Sequence, residues 1–346
     1  MNLLEYFKER SSEGQPLVLA TVFETVGSTY SKAGGQMIID SSGNFCGMLS
    51  GGCLEGDLVE RARRVIDTGA AETASYDLSA DDELWGLGVG CDGTMRVLLQ
   101  PLTEESGYQP FATIAAIIDG GHAASIAVVI AADSSAISVG ATMILKGDNC
   151  RSFGMDGDLA DSIQRGFGET ASGTLRDSED PDGGYSVLYA RIEPPPALLV
   201  LGAGLDSEPV VRIAHELGWR CTICDHRPAY IENRSFPART YVICCPVDEL
   251  CRQVDLDQFD TAIVMSHHLA SDRSYLRQLA TSGIGYIGLL GPVGRRNRLM
   301  SELDEVADAL QDRLHGPAGI DLGGRGPGPI ALSIIAEMQK YLSQTG

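Results

Sequence analysis

Gly202-Ala203-Gly204 has the spacing of a turn that cradles a nucleotide. The first glycine permits a tight turn. The second lets a pyrophosphate approach the backbone, and the helix start that follows offers N–H donors to the anion. Asp225 lies about twenty residues further on, where an acid can bind ribose hydroxyls. Ser207 occupies the place of a third glycine. A Gly-x-Gly turn can also be purely structural, so a ligand-binding and a structural reading both stand here.

A second set of candidates lies near the start of the chain. Ser50-Gly51-Gly52-Cys53 precedes a helical pattern. Paired glycines free the backbone to form a concave row of N–H groups, which suits an anion. Cys53 would stand at a helix start, where the helix dipole favours thiolate, a form able to ligate a soft metal or attack sulfur. Trp85-Gly86-Leu87-Gly88-Val89-Gly90-Cys91-Asp92-Gly93 holds four glycines in its last eight residues, a composition that forms a shaped loop. Each loop carries one cysteine, Cys53 or Cys91. The plainer alternative is a pair of structural turns with inert thiols.

Three other clusters weigh less. His267 and His268 follow a strand at its carboxyl end, where open α/β sheets bind ligands. Arg295, Arg296 and Arg298 open a helix and suit either phosphate or a solvated face. Cys221-x-x-Cys224 has metal-motif spacing but lies in a strand, where positions three apart face opposite sides, so both read as core thiols. Cys244-Cys245 reads as packing.

The elements that position these residues follow from pattern. Leu17–Val26 reads as a strand, Gln36–Asp40 and Phe45–Leu49 as a hairpin, and Leu54–Asp67 as a helix ended by Gly69. Strands follow at Glu72–Leu78 and Thr94–Leu99. Between 103 and 193 the signals weaken: Ala124–Ala132 and Ala141–Leu145 read as strands, and Asp177–Gly184 as a polar loop. Pro194-Pro195-Pro196 forms a stiff spacer. Beyond it, strands at Leu198–Leu201, Trp219–Cys224, Tyr241–Cys244, Thr261–Met265 and Tyr286–Leu290 alternate with helices at Glu208–Leu217, Asp272–Thr281, Arg295–Leu314 and Ile330–Tyr341. Such alternation implies a parallel sheet covered on both faces. The expected organisation is α/β: an N-terminal domain, 1–193, with a mixed sheet, and a C-terminal Rossmann-like domain, 197–346.

Composition bounds the function. The net charge of −21 opposes nucleic acid and anionic membranes as partners. The start of the chain reads as a short helix rather than a signal peptide, and no apolar run has the length of a membrane span. Nine scattered cysteines fit reduced thiols, and together these readings point to the cytoplasm.

Taken together, LATVFETVGSTYSKAGGQM, GMLSGGCLEGDL, LWGLGVGCDG, LGAGLDSEPVVRIAHELGWRCTICDHRPAY, SHHLASD and YIGLLGP resemble the XdhC/CoxI family, accessory proteins of molybdenum hydroxylases. The resemblance covers most of 17–102 and 197–340. It implies a chaperone that binds molybdenum cofactor, supports its sulfuration with a cysteine desulfurase as sulfur donor, inserts it into a hydroxylase, and forms a homodimer. Carried over, Ser50, Gly51, Gly52, Cys53 and Cys91 contact the cofactor, with Cys53 and Cys91 as thiolates toward molybdenum. Gly202, Gly204 and Asp225 bind NAD(P) or another nucleotide. The chain departs from the family's pattern at Ser207 and at Asp92.

Two other functions fit the same residues: an NAD-dependent oxidoreductase using His267 or His268, and a regulatory protein sensing a nucleotide. The chain offers no convincing catalytic triad, paired acids or strong metal-ligand cluster, which favours a cofactor handler over a catalyst.

Overall fold

A computed structural model describes residues 2–78, 93–180 and 183–345. The chain divides into two compact units, Met1–Pro194 and Pro195–Gly346. No described helix is long and apolar enough to cross a membrane.

The first unit opens with helix α1 (Leu3–Ser12), whose start is fixed by a reciprocal capping box between Asn2 and Glu5. Strands β1 (Leu17–Gly27), β2 (Gln36–Asp40) and β3 (Phe45–Cys46) follow, then helix α2 (Glu55–Thr68), closed by Gly69 in the left-handed conformation. Strands β4 (Glu72–Asp77) and β5 (Gly93–Leu102) complete an antiparallel sheet in the order β3-β2-β1-β5-β4. Helix α3 (Phe111–Asp119) leads to β6 (Ala124–Ala132), β7 (Thr142–Lys146) and β8 (Asn149–Phe153). Helix α4 (Gly157–Glu169), β9 (Thr174–Asp180) and β10 (Gly183–Ile192) finish a second antiparallel sheet, β8-β7-β6-β10-β9.

Alternation along β1 explains the layering. Val18, Ala20 and Val22 pack with Leu58, Ala62 and Val65 of α2. Phe23, the residue at the bulge in β1, instead joins Leu98 of β5 against Val128, Ile130 and Leu188 of the second sheet. Both faces of β1 are therefore buried, and each aliphatic side chain so enclosed contributes about 2 kcal/mol.

Three expectations need correction in this unit. Its sheets are antiparallel, not mixed: every strand pairing among the described residues runs antiparallel, the pattern that hairpins such as β1–β2 and β6–β7 build. Strand β3 ends at Cys46 instead of Leu49, since Gly47 turns at positive φ against the backbone of Gln36. The polar stretch from Asp177 contributes to β9, which pairs with β10 at the sheet edge, so its backbone is hydrogen-bonded although its residues are polar.

The second unit runs β11 (Ala197–Leu201), α5 (Ser207–Glu216), β12 (Arg220–Asp225), α6 (Pro228–Glu232), β13 (Tyr241–Cys244) and α7 (Leu250–Gln253). It continues with β14 (Thr261–Val264), α8 (Leu269–Leu279), β15 (Tyr286–Leu289), α9 (Val293–Leu303), α10 (Ala307–Leu310), β16 (Leu314–His315) and α11 (Pro327–Thr345). All six strands are parallel, in the order β13-β12-β11-β14-β15-β16. This is the 3-2-1-4-5-6 order of a Rossmann sheet, with its switch point between β11 and β14. One core lies on each face: Leu199 and Leu201 face one, Leu198 and Val200 the other. The single helix expected over Arg295–Leu314 is two helices and a strand, because the chain breaks at Asp304 with φ 35°.

Candidate functional site

In the first unit, Gly51 and Gly52 both hold positive φ, 76° and 111°, and the backbone here does form a nest of N–H groups. The nest is filled from within. The carboxylate of Glu55, at the first position of α2, accepts from the N–H groups of Leu49 at 3.0 Å, Ser50 at 2.9 Å and Gly52 at 3.0 Å. Ser50 Oγ also donates to it at 2.5 Å and accepts the N–H of Leu54 at 2.7 Å. Burial pushes the Glu55 carboxyl up, but the bonds from Ser50 and Leu49 outweigh it and hold its pKa below the ordinary value. Glu55 is thus an ionised, 4 % exposed acid that replaces an external anion.

Around that fixed centre the loop's outer surface is open. Gly51 and Gly52 are exposed and Cys53 is half-buried. Among the described residues, a side chain at Gly52 would meet nothing within 4 Å, and one at Gly51 would touch the ring of Tyr30. Ser50, in contrast, is buried and serves the loop, so of the residues expected at a cofactor, Gly51, Gly52 and Cys53 are the ones presented outward. Cys91, with the glycine-rich loop around it, lies outside the described residues.

In the second unit, Gly202 adopts φ 124° between β11 and α5. A Cβ there would sit 2.6 Å from the Met265 carbonyl oxygen, so glycine is required by the close approach of the chain after β14. At Gly204 the nearest atom to a Cβ is Asp206 Oδ1 at 2.5 Å, the end of a side chain that can move. Ser207 is fully buried and donates from Oγ to the Gly204 carbonyl at 2.7 Å. The small hydroxyl therefore fits the place of the third glycine. No side chain caps the start of α5; the Ser207 N–H is donated to the Gly204 carbonyl at 3.1 Å, and Pro209 in the same turn carries no N–H.

Asp225 ends β12, next to the turn, but its carboxylate is 1 % exposed. Oδ2 accepts from Ala203 N–H at 2.7 Å and Arg227 Nη2 at 2.7 Å. Oδ1 accepts from Arg227 N–H and Nε, both at 2.9 Å. Burial raises its pKa, and the Arg227 side chain, with the N–H groups of Ala203 and Arg227, lowers it further than burial lifts it. Asp225 thus buckles the glycine turn to β12 and anchors an arginine; it does not hold two free lone pairs toward a ribose.

The two histidines separate. His267, at φ 61°, is exposed, and its Nε2 lies 2.7 Å from Asp206 at the mouth of the turn. His268 caps α8, accepting from the Ser271 N–H, and is structural. Arg295 is also structural: it forks onto the buried Asp272 at 3.0 and 2.6 Å. Arg298 pairs with Glu302 on the surface of α9. Cys221 and Cys224 face opposite cores, and Cys224 meets Cys245 with 3.1 Å between sulfurs. No cluster of three metal-ligating side chains occurs among the described residues.

Glu55, Asp206 and Arg227 were not singled out by sequence. Arg227 had a usable signal, a basic residue two positions after the strand-terminal acid. Glu55 had none: it stands five residues after Ser50, not at the three-residue spacing of a capping box.

The arrangement has known counterparts. A family model described as the XdhC and CoxI family matches residues 11–77, and one described as the XdhC Rossmann domain matches 198–338. The chain is 30 % identical over 322 residues to a protein of Bacillus subtilis described as a probable xanthine dehydrogenase subunit, covering 93 % of this chain and 92 % of that protein. It is 25 % identical over 162 residues to the uncharacterized protein YqeB of Escherichia coli, covering 46 % of this chain and 30 % of that one. Among solved structures, a xanthine dehydrogenase from Bacillus halodurans superposes with a TM-score of 0.80 at 27 % identity, over all of this chain and 97 % of the other.

Proposed function

The chain belongs to the XdhC and CoxI family, and from that premise we propose that it is an accessory protein of a molybdenum hydroxylase of the xanthine dehydrogenase or CO dehydrogenase type. It holds the molybdenum cofactor, supports its sulfuration and passes it to the apo-enzyme. It does so in the cytoplasm, as a homodimer, in contact with the hydroxylase and a cysteine desulfurase. It has little turnover of its own.

The observation that carries this reading is the loop at Gly51-Gly52-Cys53. A half-buried thiol stands beside two exposed glycines whose faces, among the described residues, are open or bordered by Tyr30. That donor set fits the molybdenum end of the cofactor, a soft centre for which thiolate is a suitable partner. It does not fit the terminal phosphate, because Glu55 already takes the N–H groups of Leu49, Ser50 and Gly52 with a negative charge. When bound, the cofactor supplies the redox chemistry of the client enzyme. The protein's own residues do the holding: Cys53 offers sulfur, Gly51 and Gly52 allow close approach, and Glu55 keeps the loop in shape. A half-buried thiol in an exposed loop suits a handler that must release its cargo. In the second unit, the glycine turn ahead of α5 binds a nucleotide.

The test is purification of the full chain from cells that make molybdenum cofactor, with pterin fluorescence and molybdenum content measured. Near-stoichiometric pterin is expected, reduced in Cys53→Ala. Equal activation of an apo-hydroxylase with the protein, without it, and with Cys53→Ala would overturn the chaperone reading.

A further inference from the structure

A nucleotide lying on the Gly202–Gly204 turn sets its ribose over the carboxyl end of β12, where a free acid would bind the 2′ and 3′ hydroxyls. Asp225 occupies that place, yet all four of its hydrogen bonds are internal and it is 1 % exposed. What stands over it is Arg227. Its side chain is 30 % exposed, and one face of the guanidinium lies 3.6 Å from the Tyr230 ring centre.

The same ring has a second arginine 6.0 Å from its centre, Arg234. Arg234 Nε is buried without a hydrogen-bond partner, and its pairing with Glu208 is long, 3.9 Å. His226 adds a third basic side chain, 3.5 Å from Asp225. A chain of net charge −21 thus gathers basic groups where a ribose edge would lie. An arginine already forked onto a buried carboxylate is also rigid, so little side-chain freedom is lost when its outer N–H groups meet an anion.

We infer that the Rossmann unit selects a dinucleotide whose adenosine ribose carries a phosphate, with Arg227 as the specificity-determining residue and Arg234 assisting it. The guanidinium of Arg227 directs its remaining N–H groups to the phosphomonoester, and its face away from Tyr230 carries the adenine. Asp225 acts through Arg227 as a positioning residue. An unphosphorylated ribose gains nothing from Asp225 unless Arg227 is displaced. This inference rests on the nucleotide-binding reading of the second unit.

Calorimetric titration of the full chain with NADPH and NADH tests it, with 2′,5′-ADP and 5′-AMP as fragments. NADPH should bind about tenfold or more tightly than NADH, the scale of one charge-assisted contact. 2′,5′-ADP should bind more tightly than 5′-AMP. Arg227→Ala should weaken NADPH binding and leave NADH binding unchanged or tighter, because it frees Asp225 for the ribose hydroxyls. Because removing Arg227 exposes Asp225, Arg234→Ala serves as the second variant; it lies outside the carboxylate network and should reduce the preference without altering stability. If both dinucleotides bind and NADH equals or exceeds NADPH, the inference falls and the nucleotide reading stands. If neither dinucleotide nor either fragment binds, the nucleotide reading falls and takes this inference with it.

Discussion

Glu55 accepts the N–H of Ser50 at 2.9 Å and the hydroxyl of the same residue at 2.5 Å, so one carboxylate closes the loop that presents Cys53. The anion that the glycine-rich loop is built to receive is supplied by the chain itself. The loop's role then passes from binding a phosphate to holding a thiol in place.

Glu55→Ala should destabilise the first unit by about 3 kcal/mol, because the buried N–H groups of Leu49, Ser50 and Gly52 lose their acceptor. Cys53→Ala should leave stability unchanged within about 0.5 kcal/mol, since the thiol is not part of that network. Denaturant titration of both variants checks the contrast. Equal stability of Glu55→Ala and the parent would remove the loop-closing role.

The carboxyls of Glu55 and Asp225 both titrate below their ordinary values in the folded chain. Their unfolded values lie near about 4. A lowered folded pKa stabilises above the unfolded value, and that contribution is lost as pH falls through the folded one. Stability should therefore be level from neutral pH down to about 5 with respect to these two groups and fall below about 4. In Glu55→Gln the acid-side slope should be shallower. An unchanged slope between pH 5 and pH 2 would count against an ionised Glu55.

Gly202 and Gly204 should respond differently to alanine. At Gly202 the Cβ meets the Met265 carbonyl, a backbone atom, and φ is 124°, so Gly202→Ala should cost more than about 3 kcal/mol. At Gly204 the Cβ meets Asp206, which can rotate away at the expense of its contact with His267. Gly204→Ala should fold with near-parental stability. Thermal unfolding of the two variants decides it; similar losses would mean that the turn is not gripped at Gly202.

Thiol reagents should sort the cysteines by burial. Among the described cysteines, Cys244 and Cys251 are exposed and should be labelled first in the native chain. Cys221, Cys224 and Cys245 are buried, and burial raises the Cys221 thiol to about 12 and lifts Cys224 as well, so both should react only after unfolding. Mass spectrometry of peptides after timed labelling reads the order. Early labelling of Cys224 would contradict its place in the core.

Sequence alone determined the Rossmann half well. Apolar runs such as Leu198–Leu201 and Thr261–Met265 alternate with helical patterns, and a parallel sheet buried on both faces requires just that signal. It also determined that Cys221 and Cys224 face opposite cores, because the period of a strand is two. The second sheet of the first unit was largely hidden. Its edge strands β8 and β9 are largely polar, and pairing with β7 and β10 makes them strands, so the information sits in their neighbours. The candidate residues were legible as types, but their roles were not. Whether the nest at Ser50 was open or filled, and whether Asp225 faced a ribose or an arginine, depended on where Glu55 and Arg227 turned their side chains. Those directions are settled by hydrogen-bond satisfaction of buried groups in three dimensions, and residue spacing carries no record of it.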